Sequence, residues 1–269
     1  MATNDQVTGE SVLSVIQLKQ STIDEIIDSE ALLAATAASR YGMYYLHARN
    51  VTTFLSKCVA SIDPGYDFFA GFYAHMKKHH LLALLAAVRL HHVQSQMNVR
   101  QVIEGGAWAT YALAHTEPSY FVHIDGRGIL RPTTDLSKKR DQWLVERFPK
   151  NWEHLRSLRS QINKYGTHAN LVVSHKVLRL SEGGKEWDMP FFDFTDDYHV
   201  YTDLWSIAGV AVTLMDMFLG ANQPKHINFV EDFDDRLIEL LNQNRLLQQE
   251  MHNTDRFKEM QKRFGNAVS

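Results

Sequence analysis

Lys164, Tyr165 and His168 fall within five residues, Lys164-Tyr165-Gly166-Thr167-His168, and Arg159 stands just upstream. A histidine exchanges protons near neutral pH, and a lysine or arginine holds a phosphate. In a phosphodiester reaction His168 would act as general acid or base, with Lys164 or Arg159 stabilising the phosphorane charge. The competing use of these residues is structural: Gly166 suits a helix C-cap and Lys164 a last turn. Arg100 and Glu104 sit four apart in an apolar stretch, among Val99, Val102, Ile103 and Ala107. Charges placed there persist when paired and hydrogen-bonded, which makes them a strut or a ligand site. Arg100, Glu104, Arg159 and Tyr165 are therefore the candidate ligand-binding residues, and His168 and Lys164 the candidate catalytic ones.

Two other clusters compete for attention. His75 and His79 share a helix face and could both ligate one metal ion. A di-iron bundle also needs Glu-x-x-His on two helices; the nearest equivalent is Asp196-x-x-His199, and Lys77 and Lys78 would repel a cation. Packing or solvated histidines are the preferred reading, with no metal and no cofactor. Asp193, Asp196, Asp197, His199 and Asp203 have the oxygen ligands of a divalent-cation site. Thr195-Asp196-Asp197 is also where a helix wants a cap and early negative charge, and that is preferred.

Between Lys138 and Lys164 eight cations stand against Asp141, Glu146 and Glu153, in a chain whose formal net charge is −3. Trp143, Phe148, Trp152 and Tyr165 interleave with them, as in a surface combining phosphate contacts with base stacking. RNA or a nucleotide is the partner this suggests. The usual rival is a core tryptophan and a solvated basic face.

Composition narrows the classes. With 269 residues, 45% apolar and 22% charged, the chain has globular rather than disordered composition. The single cysteine, Cys58, excludes an intramolecular disulfide and fits a reducing compartment, so the cytoplasm is expected. The N-terminus lacks a signal-peptide pattern, and no apolar stretch is expected to reach the ~20 residues that span a bilayer, so no membrane partner is expected. GxxxxGK[ST], HExxH, GxSxG and CxxC are all absent.

The elements that must position these residues are mostly helices. Apolar residues recur three or four apart from Thr22 to Ile62, with Thr22 and Glu25 as a capping box, a bend near Gly42 and a stop at Asp63-Pro64-Gly65. A second helix is predicted from Tyr66 to Ala114, with Gly105, Gly106 and Ala107 admitting a neighbouring backbone. Shorter helices follow over 135–148 and 151–165, then one opened by Asp196 and Asp197 and ended by Gly220 and Pro224, then one from Glu231 to Arg263. Hairpins are predicted around Asp125-Gly126-Arg127-Gly128 and around Gly183-Gly184. The expected fold is all-α, a multi-helix bundle with one or two small β-hairpins. One domain spans 1–269, with 1–20 a frayed N-terminus and 225–269 a C-terminal helix.

The order of these features, from the Arg100-to-Glu104 pair through Lys164-to-His168 to a hairpin and further helices, resembles uncharacterised bacterial helix-bundle proteins. More distantly it is similar, over about residues 66–220, to the domains named for higher eukaryotes and prokaryotes nucleotide-binding (HEPN). Many HEPN domains are metal-independent RNases, and others bind nucleotides or partners. Their active arginine precedes a histidine by about five to seven positions, whereas Arg159 and Lys164 precede His168 by nine and four. The expectation is a cytoplasmic, dimeric helical module that binds a phosphate-bearing ligand, a nucleotide or RNA. The alternatives are a HEPN-like RNase using His168, and an interaction protein dimerising through Leu237, Leu240, Leu241, Leu247 and Met251.

Overall fold

Thr22 opens the first helix as its spacing predicts. Its hydroxyl accepts from the Glu25 amide (3.3 Å), and the Glu25 carboxylate accepts from the Thr22 amide (2.8 Å). The computed structural model describes residues 17–19, 21–131, 134–165, 179–180, 186–188, 191–193 and 196–264. Among them the helices are α1 (Ile23–Lys57), α2 (Asp67–Val88), α3 (His92–Ala114), α4 (Thr134–Arg147), α5 (Pro149–Tyr165), α6 (Asp197–Ala221), α7 (Phe233–Asn253) and α8 (Asp255–Phe264). The strands are β1 (Gln17–Lys19), β2 (Val59–Ile62), β3 (His123–Ile124), β4 (Leu130–Arg131), β5 (Arg179–Leu180), β6 (Glu186–Asp188) and β7 (Ile227–Phe229). The architecture is the all-α bundle expected. Both hairpins are present, β3 antiparallel to β4 and β5 antiparallel to β6.

Four expectations need correction. The first helix ends at Lys57, and Val59–Ile62 is instead a strand antiparallel to β7, a pairing 170 residues apart that local periodicity cannot show. The predicted helix from Tyr66 to Ala114 is two helices folded back on each other, turning at Arg89, Leu90 and His91. The last predicted helix breaks at Thr254, whose hydroxyl caps α8 by accepting from the Phe257 amide. Finally, α6 is long and apolar enough to cross a membrane, with mean hydropathy 1.6 over its most apolar 18 residues. Some 61% of that stretch is buried against the rest of the bundle, so here it serves as the central core helix.

The α2–α3 turn contains neither glycine nor proline. Leu90 adopts the left-handed region (φ 62°), which disfavours a branched side chain. Partners from elsewhere hold it there. The Asp193 amide donates to the Leu90 carbonyl (2.9 Å), and the buried Asp193 carboxylate accepts from the Val93 amide at the start of α3 (3.2 Å). His91 donates to Glu30 of α1 (2.8 Å), and His92 to the buried Asp203 of α6 (2.6 Å).

The bend at Gly42 is real: its φ of 48° and ψ of −128° interrupt α1 in a region that glycine tolerates. The small residues of α3 do admit neighbours. Gly105 abuts His75 and Met76 of α2, and Gly106 faces Leu214 of α6. The core is one continuous cluster built around α6, α3, α2 and the second half of α1.

Candidate functional site

Helices α2 and α3 run antiparallel, with Ser95 against Ala83, Asn98 against His79 and Gln101 against His75. Towards the start of α2 the seam continues with Gly105 against His75 and Met76 and with Trp108 beside Phe72. A groove of about 630 Å³ opens along this seam, lined from α2 by Asp67, Phe68, Phe72 and His75. Arg100, Gln101, Glu104 and Trp108 line it from α3. Phe72 and Trp108 lie nearly parallel with ring centroids 5.8 Å apart.

Beneath Glu104 lies a ring of charges. Glu104 faces Arg159 of α5 (3.5 Å) and Arg140 of α4 (3.6 Å). Asp141 closes the ring from the other side, accepting from Arg140 (2.6 Å) and from Arg159 (3.0 Å). Arg140 is only 1% exposed, and its guanidinium lies 4.4 Å from the Trp108 ring centroid and 5.9 Å from that of Trp152. Two cations and two carboxylates thus cancel; Arg140 Nη1 makes no hydrogen bond but stays within ion-pair range of Glu104, and the tryptophan faces add cation–π contacts. The ring leaves Glu104 locally neutralised, so it does not oppose an anion in the groove.

Arg100 is different. Its Nε is buried and has no hydrogen-bond partner, and it makes no ion pair among the described residues. The expected Arg100–Glu104 pair is therefore not a mutual strut. Both residues line one groove, while Glu104 turns to Arg159 and Arg140.

Of the other candidates, Arg159 joins Glu104 as just described. Lys164 is exposed in the last turn of α5. Tyr165 ends that helix, and its side chain lies outside the described residues, as does all of His168. The RNase constellation therefore gains no geometry.

The basic run folds differently from the expectation. Trp152 is fully buried, and Trp143 and Phe148 are half-buried against the bundle, so they form no open stacking surface. Arg140 is buried with them. Exposed cations remain at Lys138, Lys139, Arg147, Lys150, Arg156 and Lys164. The proposed dimer residues Leu237, Leu240, Leu247 and Met251 are buried in their own chain, and Leu241 packs on the same core.

His75 and His79 donate to amide oxygens of α3, Gln101 (3.3 Å) and Asn98 (2.8 Å), with ring centroids 4.3 Å apart. Asp196 caps α6 by accepting from the His199 amide (3.0 Å), as its position predicts. Asp203 is held on both oxygens, by His92 and by Gln96 (2.7 Å).

Sequence reasoning missed Arg140, Asp141, Trp108 and the α2 wall of the groove. A signal for Arg140 was present, of the same kind as for Arg159, which was already a candidate. Arg140 falls in the inward stripe Leu136, Arg140, Leu144, and Arg159 in Trp152, Leu155, Arg159, Ile162. A cation inside an apolar stripe implies a buried partner. The groove gave no such signal, because it forms only when α2 folds back on α3. Compared with models of known families, with curated proteins and with solved structures, the chain matches none.

Proposed function

We propose that this chain is a helical binding module whose α2–α3 groove takes a phosphate-bearing ligand of nucleotide type. One observation carries the reading: Arg100, its Nε buried and unpartnered, shares a groove with the aromatic surfaces of Phe72 and Trp108. A half-buried guanidinium with no anion beside it among the described residues carries an uncompensated desolvation cost, which a bound phosphate would offset. The Gln101 amide group, whose oxygen already accepts from His75, adds donors beside it. Trp108, with Arg140 4.4 Å from its ring centroid, backs the Phe72 ring, and Phe72 offers the aromatic surface for a base on the α2 side of the groove. A volume of about 630 Å³ is in the range of small-molecule sites and suits one mononucleotide rather than a strand.

Titration calorimetry of the whole chain with inorganic phosphate and with nucleoside monophosphates tests this. Nucleotides should bind more tightly than phosphate alone, and Arg100→Leu should weaken them at least about tenfold without loss of helical circular dichroism. Unchanged affinity in a folded Arg100→Leu protein, or no binding by any nucleotide, would sink the reading.

A further inference from the structure

The groove is charged at both ends, with Arg100 at one and Asp67 at the other. Asp67 lies eight residues before His75 on α2, about 12 Å along the helix axis. With α3 antiparallel, Arg100, Gln101 and His75 cluster at one end, and Asp67, Phe68 and Trp108 at the other. The Asp67 carboxylate is exposed to the groove and makes no hydrogen bond or ion pair among the described residues. It stands in the first turn of α2, where helix-dipole stabilisation requires only its charge and leaves its oxygens open.

We infer that the groove selects a guanine nucleotide, with phosphate at Arg100, the base against Phe72, and the base edge at Asp67. This rests on the nucleotide reading above. A carboxylate only accepts hydrogen bonds, and it offers two oxygens side by side. Guanine alone among the common bases presents two adjacent donors, N1–H and the 2-amino group. Adenine and cytosine set one amino donor next to a ring-nitrogen acceptor, whose lone pair the carboxylate repels. Uracil flanks its single N–H with two carbonyls. Glu104 is not a rival reader, because both its oxygens face Arg159 and Arg140.

The test is calorimetry with GMP, IMP and AMP on the intact chain and on Asp67→Asn. IMP keeps N1–H but lacks the 2-amino group. In the unaltered chain GMP should bind about ten- to a hundredfold more tightly than IMP or AMP, the range for hydrogen bonds to a charged group. Asp67→Asn keeps one acceptor and turns a donor towards the 2-amino group. It should erase the advantage of GMP over IMP and strengthen AMP binding, because the new amide accepts from the adenine amino group and donates to the ring nitrogen that the carboxylate repels. Equal binding of all three nucleotides, or a GMP preference that survives Asp67→Asn, would overturn the guanine assignment and leave the nucleotide reading standing. No binding by any of the three would overturn both. Asp67 is exposed, so circular dichroism of the variant should match that of the parent; if it does not, Asp67→Glu, which keeps both acceptors, must retain the GMP preference or the assignment fails.

Discussion

Arg159 of α5 reaches Glu104 of α3 at 3.5 Å, although 55 residues separate them in the chain. The contact closes a ring with Arg140 and Asp141, and the ring forms the underside of the groove wall at Glu104 and Trp108.

Arg140→Ala should therefore do more than remove a charge. It deletes the packing between Trp108 and Trp152 and leaves Asp141 and Glu104 sharing one cation. Stability should fall by about 3 kcal/mol in urea unfolding, the cost of removing one partner from a buried pair. Arg140→Met, which refills the volume, should recover part of that loss. A change within about 0.5 kcal/mol for Arg140→Ala would show that the ring is energetically idle.

Two glycines separate close packing from simple helix interruption. A Cβ on Gly106 would clash with Leu214, a side chain fully buried in the core. Gly106→Ala should destabilise by about 1–3 kcal/mol as Leu214 is displaced. Gly71 has nothing within 4 Å of that position, so Gly71→Ala should stabilise α2 by about 0.5–1 kcal/mol. Thermal melts of the two variants should move in opposite directions.

His80 gives a pH dependence. Its ring is buried, Nε2 donates to the Ile207 carbonyl (3.1 Å), and burial pushes its pKa down to about 4. Above about pH 6.5, the ordinary histidine value, it is neutral in both the folded and the unfolded chain. As pH falls from there towards 4 the unfolded chain takes up a proton that the folded chain refuses. Stability should drop across that window by about 3 kcal/mol from this group. His47, also buried and shifted downward by burial, acts in the same direction. Urea midpoints measured at several pH values check this, and His80→Gln should flatten the slope.

Asp193 should act as a remote cap. Asp193→Ala removes the acceptor for the Val93 amide at the start of α3 and should cost about 1 kcal/mol. Hydrogen exchange at Val93 should quicken, while exchange in the middle of α6 stays slow.

Much of the fold was readable because it depends on neighbours in sequence. The Thr22–Glu25 box, the bend at Gly42, the Asp196 cap and both hairpins need only a few residues each. The strand β2 and the break at Leu90 were not readable for the converse reason. Val59–Ile62 becomes a strand because β7 arrives to pair with it, and Leu90 accepts a left-handed φ because Asp193, one hundred residues on from Val93, holds both sides of the turn.

The candidate site divides the same way. Spacing alone establishes that Arg100 and Glu104 are charges set among apolar residues and that Arg159 belongs to a basic run. Which of them would pair was a matter of helix rotation and chain reversal. Packing α4 and α5 against α3 gave Glu104 to Arg140 and Arg159 and drew Trp152 into the core, while the reversal of α2 onto α3 left Arg100 lining an aromatic groove. A 3.6-residue period states that one side of a helix is buried, but it carries no information about the partner that covers it.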